Sequence, residues 1–135
     1  MNRKGFLSSI LIGAAGVLVP ADKVVSKSGV KQKVRLGVDF IAGFQYYDGP
    51  DAESLLEAGM PLKLNREPHN RYDRNAIEIW SGDAKLGYVP RSGNKPIARL
   101  MDEGVNVQAR ILEIDPLSFP GGSVKMELYY LWDAA

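Results

Sequence analysis

The chain of 135 residues has no cysteine and a single histidine. Without thiols there is no disulfide framework, no thiolate zinc site and no cysteine nucleophile, and one imidazole cannot build a histidine-rich metal centre. No serine sits in a nucleophile-elbow motif, and no glycine-rich loop carries the lysine that a phosphate-cradling turn needs. His69 lies between Pro68 and Asn70, the setting of an exposed loop rather than of a buried, tuned base. Asp48, Asp51 and Asp73 are the carboxylates that a pair could draw on, but all three sit in turn-like segments, where acids ordinarily form turns. Catalytic residues, a metal site and a cofactor are therefore not expected, and the chain reads as a non-enzymatic protein.

Charge of one sign is equally scarce: 17 basic residues stand against 16 acids, for a formal charge of +1. The one extended apolar run, Phe6 to Val19, is shorter than the ~20 residues that span a bilayer. Arg3 and Lys4 precede it and Val19-Pro20-Ala21 follows, which is the layout of a signal peptide. "NRKGFL" also looks like the twin-arginine export motif, with Lys4 where that motif has its second arginine. Residues 1–21 thus read as a leader, with export to the periplasm or cell envelope and no membrane span after processing. The alternative is a buried helix or strand of a cytoplasmic protein, which the glycines at 13 and 16 fit less well. Cleavage would remove Arg3 and Lys4, leaving 15 basic residues against 16 acids and a formal charge of −1. Any nucleic-acid binding must then come from a local patch with few phosphate contacts.

What is present is glycine and proline, 14 and 8 residues, spread among short apolar stretches in a chain that is 45% hydrophobic. That distribution favours short strands and turns in one small domain. Residues 22–33 read as a polar linker and 34–135 as the domain. "KVRLGVDFIAGFQYY" predicts a first, curved strand. "PDAESLLEAG" predicts a short helix capped by Asp51, with Leu55 and Leu56 inward and Gly59 as its stop. "PLKLNRE" and "NAIEIW" alternate as half-buried strands, and "SGDA" turns the second of these into "KLGYV". "NKPIARLMDEG" predicts a helix with Asn94 at its N-cap, Pro96 in its first turn, and Ile97, Leu100 and Met101 at helical spacing. Val105 to Ile111 and Val124 to Trp132 predict two closing strands. The expected fold is mainly β: a small barrel of about six strands with one or two short helices.

Between Lys63 and Arg74, four basic residues (Lys63, Arg66, Arg71, Arg74) face two acids (Glu67, Asp73), with Tyr72 among them. Arginines interleaved with an aromatic suit single-stranded nucleic acid, since guanidinium groups hold phosphates while rings stack on unpaired bases. The same composition also describes a solvated loop whose arginines pair with Glu67 and Asp73.

"FIAGFQYYDGP", "LNREPHNRYDRNAIEIW" and "KLGYVPRSGNKPIARLMDEG", in that order and at those separations, resemble the HIRAN domain over roughly Leu36 to Trp132. The resemblance implies an OB-like barrel that grips the free 3′ end of single-stranded DNA. Position by position it implies that Tyr46 and Tyr47 are the tyrosine pair after the first strand. Tyr72 and Asp73 match the family's Tyr-Asp pair, whose acid accepts a hydrogen bond from the terminal hydroxyl. Gln45 stands where DNA-binding members have arginine, Tyr88 where they have histidine, and Arg91 where they have lysine. A late stacking aromatic is unmatched, because Ser123 or Val124 falls at its place. With Arg66 and Arg71 facing phosphates, these residues form the expected nucleic-acid edge. The competing expectation is an exported adaptor that binds another anionic ligand or a protein.

Overall fold

A sheet with one buried face demands alternating apolar and polar residues, and that alternation organises most of this chain. The computed structural model describes residues 25–26, 29–117 and 123–133. The expected leader, residues 1–21, lies outside the described residues, and no described helix is long and apolar enough to cross a membrane. Among the described residues the strands are β1 (Val25–Ser26), β2 (Gly29–Phe40), β3 (Pro61–Glu67), β4 (Ala76–Ser81), β5 (Ala84–Tyr88), β6 (Gln108–Asp115) and β7 (Ser123–Asp133). The α-helices are α1 (Gly49–Ala52) and α2 (Asn94–Asp102). β1 pairs with the start of β2, Val25 opposite Val30, so extended structure begins within the stretch that reads as a linker.

The unit that carries the core comprises Lys33–Trp132. Its strands run in the order β2-β7-β6-β3-β4-β5, with antiparallel pairing between β7 and β6, β6 and β3, β3 and β4, and β4 and β5. The inward residues are those the alternation marks: Leu62, Ile77, Ile79, Leu86, Ala109, Ile111, Val124, Met126 and Leu128, with Ile97 and Ala98 of α2 packed on them. Each large aliphatic buried in this way contributes about 1.5–3 kcal/mol.

The closed barrel expected from sequence is not formed as a continuous ladder, because within this unit the strand order has two ends, β2 and β5. These ends meet just beyond β2, where Ala42 forms an isolated antiparallel bridge with Tyr88. The Ala42 N–H donates to the Tyr88 carbonyl at 2.8 Å, and the Tyr88 N–H donates to the Ala42 carbonyl at 2.9 Å. Gly87 permits this approach, since its φ is 148° and any Cβ there would run into the Ala42 carbonyl. Pairing stops at one bridge because Gly43, at φ 76°, turns the chain into a 3-10 turn over Phe44–Tyr46. The first strand therefore ends at Phe40, and Tyr46 and Tyr47 stand on a turn instead of a curved strand.

Both helices depart from expectation in their caps. Asp51 lies inside α1, whose N-cap position is Asp48 without a side-chain cap bond. Leu56 is buried as predicted, but Leu55 is 75% exposed. A four-residue α-turn running into a 3-10 turn over Glu53–Leu55 has no continuous inner face to hold two adjacent leucines. Asn94 is the first residue of α2 rather than its cap; Gly93 occupies the N-cap position. The Asn94 side chain is buried and turned elsewhere, with consequences for the site.

Candidate functional site

β3 and β4 are the arms of a hairpin in register from Lys63 opposite Trp80 to Glu67 opposite Ala76. Their connection, residues 68–75, is the polar segment with the histidine, and residues 68–74 of it line a cleft of about 580 Å³. Asparagine builds the turn. The Asn70 side-chain oxygen accepts from the backbone N–H groups of Tyr72, at 2.8 Å, and Asp73, at 3.0 Å, while its amide donates to Glu67 Oε1 at 3.0 Å. The loop is thus folded by its own side chain, and the ring of Tyr72 is left 77% exposed with the Arg71 guanidinium 5.5 Å from its centroid.

Asp73 is held on three sides. Its Oδ1 accepts from the Asn75 N–H at 2.9 Å, its Oδ2 accepts from Asn94 Nδ2 at 2.7 Å, and Arg91 Nε stands 3.6 Å from Oδ2. The carboxylate caps its own turn, yet it is also oriented from α2, and its side chain retains 16% of its surface. Arg91 in addition donates through Nη2 to the Tyr72 carbonyl at 3.3 Å, so one largely exposed cation braces both residues of the Tyr-Asp pair.

Tyr88 joins this loop to the tyrosine turn. Its hydroxyl donates to Glu67 Oε1 at 2.8 Å and accepts from Lys85 Nζ at 2.9 Å. Its ring lies 5.7 Å from that of Tyr47 at an angle of 60°. Lys85 Nζ is 4.5 Å from the centroids of both rings and 3.0 Å from Glu78 Oε2, while Glu78 Oε1 accepts from Asn65 at 2.6 Å. Burial disfavours charge on Lys85, but the bonds to Tyr88 and Glu78 outweigh it and hold the ammonium well above its ordinary pKa. Burial raises the phenol of Tyr88, with Glu67 adding to the rise and Lys85 opposing it. Burial likewise opposes ionisation of Glu78, and hydrogen bonds from Asn65 and Lys85 bring its pKa below the usual value. Lys85 is therefore a fixed cation between two tyrosines.

The residues expected at the edge divide into two groups. Tyr47, Tyr72, Asp73, Tyr88 and Arg91 are linked by the contacts above, and Arg71 leans on Tyr72. Gln45 and Tyr46 share the 3-10 turn next to Tyr47, with Tyr46 77% exposed and Gln45 half-buried. Arg66 departs from the expected ligand-facing role. It forms a bidentate pair with Asp102, Nε to Oδ1 at 2.9 Å and Nη2 to Oδ2 at 3.0 Å, and donates from Nη1 to the Ala76 carbonyl at 2.8 Å. Its guanidinium pins α2 to the hairpin and lowers the Asp102 pKa. Lys85, Asn70 and Asn94 were not singled out as site residues from sequence. The first had a visible signal, since it alternates with inward Leu86 and sits three residues before Tyr88. No group of three or more histidine, aspartate or glutamate side chains among the described residues could hold a metal ion.

Comparison with known proteins places the chain in a family. A profile of the HIRAN domain matches residues 37–130, and the chain belongs to that family. A crystal structure of a protein from Lactobacillus plantarum is similar, with 33% identity and a TM-score of 0.66 over 75% of this chain and 97% of that one. The HIRAN domain of human HLTF has the same fold, at 18% identity and a TM-score of 0.57 over 76% of this chain and 81% of that one. A Fanconi-associated nuclease 1 homolog of Arabidopsis thaliana is 40% identical over 65 residues, which are 47% of this chain and 7% of that protein.

Proposed function

We propose that this protein binds single-stranded DNA and prefers a free 3′-hydroxyl end. The observation that carries the reading is the Tyr72–Asp73 pair. A ring left open for stacking stands beside a carboxylate oriented by Asn94, the Asn75 N–H and Arg91. A base stacks on Tyr72, Asp73 accepts a hydrogen bond from the terminal hydroxyl, and its charge repels the phosphate that a continuing strand would bring to that point. Tyr46 and Tyr47 extend the stacking surface, and Arg71 and Arg91 attract the phosphate backbone. Family membership supports the reading, as does the occurrence of a similar stretch in a relative named as a nuclease.

The test is a fluorescence-anisotropy titration at two salt concentrations with oligonucleotides bearing a 3′-hydroxyl or a 3′-phosphate. Affinity for the hydroxyl end is expected in the micromolar range, an order-of-magnitude value of about −8 kcal/mol, and weaker for the blocked end. Equal affinity for the two ends removes the end preference, and no binding at low salt removes the reading. Export with cleavage near Ala21 is proposed from the layout of residues 1–21 alone. Mature protein that retains Met1 in a cytoplasmic fraction overturns it.

A further inference from the structure

The strand alternation that buries Leu62, Ile79, Ile111 and Met126 sends their neighbours to the opposite face of the sheet. Six cations stand on that face: Lys33 and Arg35 on β2, Lys125 on β7, Arg110 on β6, Lys63 on β3 and Lys85 on β5. Five carboxylates accompany them, Glu127, Glu113, Asp115, Glu78 and Glu67. Six against five nearly balances over the whole face, but the charges are unevenly placed, since Lys33, Arg35 and Arg110 gather on one acid, Glu127.

The arrangement around Glu127 is not that of ordinary surface pairing. Its side chain is fully buried and accepts from Lys33 Nζ at 3.0 Å, Arg35 Nε at 2.6 Å and Arg110 Nε at 2.7 Å. Burial opposes its ionisation, but the bonds from Arg35, Lys33 and Arg110 outweigh this and set its pKa at about 2. One anion therefore gathers three cations, each of which remains at least 39% exposed. Both arginines reach Glu127 through Nε, and no other bond from their terminal amino groups is made among the described residues. The carboxylate anchors the guanidinium groups and leaves their outer forks for a second anion. A fork of that kind matches the two oxygens of a phosphate. Lys63 extends the surface: it follows Pro61, which pairs with Arg110, by two residues, lies opposite Trp80, and has no ion-pair partner among the described residues.

We propose that this face, centred on Lys33, Arg35, Arg110 and Lys63, is a second phosphate-contacting surface, over which runs the backbone of a nucleic-acid strand too long for the Tyr72–Asp73 end site. The proposal rests on the reading of that end site as a single-strand site. Charge complementarity selects the occupant, because an anionic polymer with regularly spaced phosphates can meet all four cations at once.

The experiment compares anisotropy titrations of the full chain with 3′-hydroxyl oligonucleotides of about four and about twelve nucleotides, both within the range of single-strand site sizes. The longer strand is expected to bind at least tenfold more tightly at low salt. In Arg35→Gln/Lys63→Gln that gain should disappear, with the slope of log K against log salt reduced by about 1.4, or about 0.7 for each phosphate that is no longer neutralised. The short oligonucleotide should bind the variant as it binds the wild type. Lys63→Glu, which disturbs no ion pair, is a second variant that should lose most of the gain even where the double variant melts early. Binding of the short strand with no gain from length, or a gain that survives both variants, overturns the surface while leaving the end site standing. Binding of neither length by the wild type overturns both.

Discussion

Asp73 and Glu127 are both carboxylates bonded by cations, yet they stand in opposite circumstances. Glu127 is sealed, with three cations from two neighbouring strands covering it. Asp73 keeps part of its surface, has a single arginine 3.6 Å away and is otherwise held by neutral donors, Asn94 and the Asn75 N–H. Neutral donors orient a carboxylate without cancelling its charge, so Asp73 can still accept from, or repel, an incoming group. Cations that converge on a buried carboxylate cancel it, and the charge left for a ligand is then that of the cations. The difference teaches that what a carboxylate offers depends on who satisfies it, more than on its exposure.

The largest effect that could break this comparison is on stability. Glu127→Ala removes the anchor and leaves three cations facing each other. Breaking a buried pair costs about 3–5 kcal/mol, and because these cations can regain water the expected loss is about 2–3 kcal/mol, read from urea or thermal melts. The pH dependence carries the same signature. The folded pKa of Glu127, about 2, lies below its ordinary value of 4.5. Its contribution is therefore complete above pH 4.5 and is lost as pH falls from about 4.5 towards 2. Glu127→Gln should flatten that part of the stability profile. A wild-type profile unchanged across this range would show that the three cations are not held by an ionised Glu127.

Next in size is Tyr72→Ala. Stacking on one ring is worth about 1–3 kcal/mol, so affinity for single-stranded DNA should fall about tenfold or more while the melt stays within about 0.5 kcal/mol, because the ring is exposed. A drop in stability without a drop in affinity would make Tyr72 a structural residue.

A smaller effect sharpens the role of the neutral donors. Asn94→Ala leaves Asp73 Oδ2 without its 2.7 Å donor, and the expected loss is about 1 kcal/mol of stability together with a several-fold smaller preference for 3′-hydroxyl over 3′-phosphate ends. Asp73→Asn should reduce that preference further while changing total affinity less, since the repulsion of the phosphate disappears. The smallest change belongs to Arg71→Ala, which should weaken all strands alike and lower the salt slope by less than one unit. A change in end preference on removing Arg71 would place it at the terminus instead of along the backbone.

Period and punctuation were readable in the chain itself. Alternation marked the inward residues of β3 to β7, because a two-residue period leaves no choice of face once one face is buried. "SGDA" marked the β4–β5 turn, and the apolar spacing from Ile97 to Met101 marked α2. The spacing of the polar segments was enough to suggest the family and the Tyr-Asp pair. Partnership was decided only by the tertiary structure. Arg66 and Arg91 look alike in sequence, but the fold brings Asp102 against the first and Tyr72 against the second, so one pins a helix and the other braces the site. Asn94 carried a cap signal and became the donor to Asp73 because Gly93 took the cap position and the turn after β3 arrived beside it. Glu127, an ordinary acid in an alternating strand, became the centre of three cations for the same reason. Hydrogen bonds and ion pairs form between groups that are distant along the chain, and their energies depend on separations of a few tenths of an ångström. Local pattern sets which face a side chain points to, while its charge is put to use by whatever the fold carries to that face.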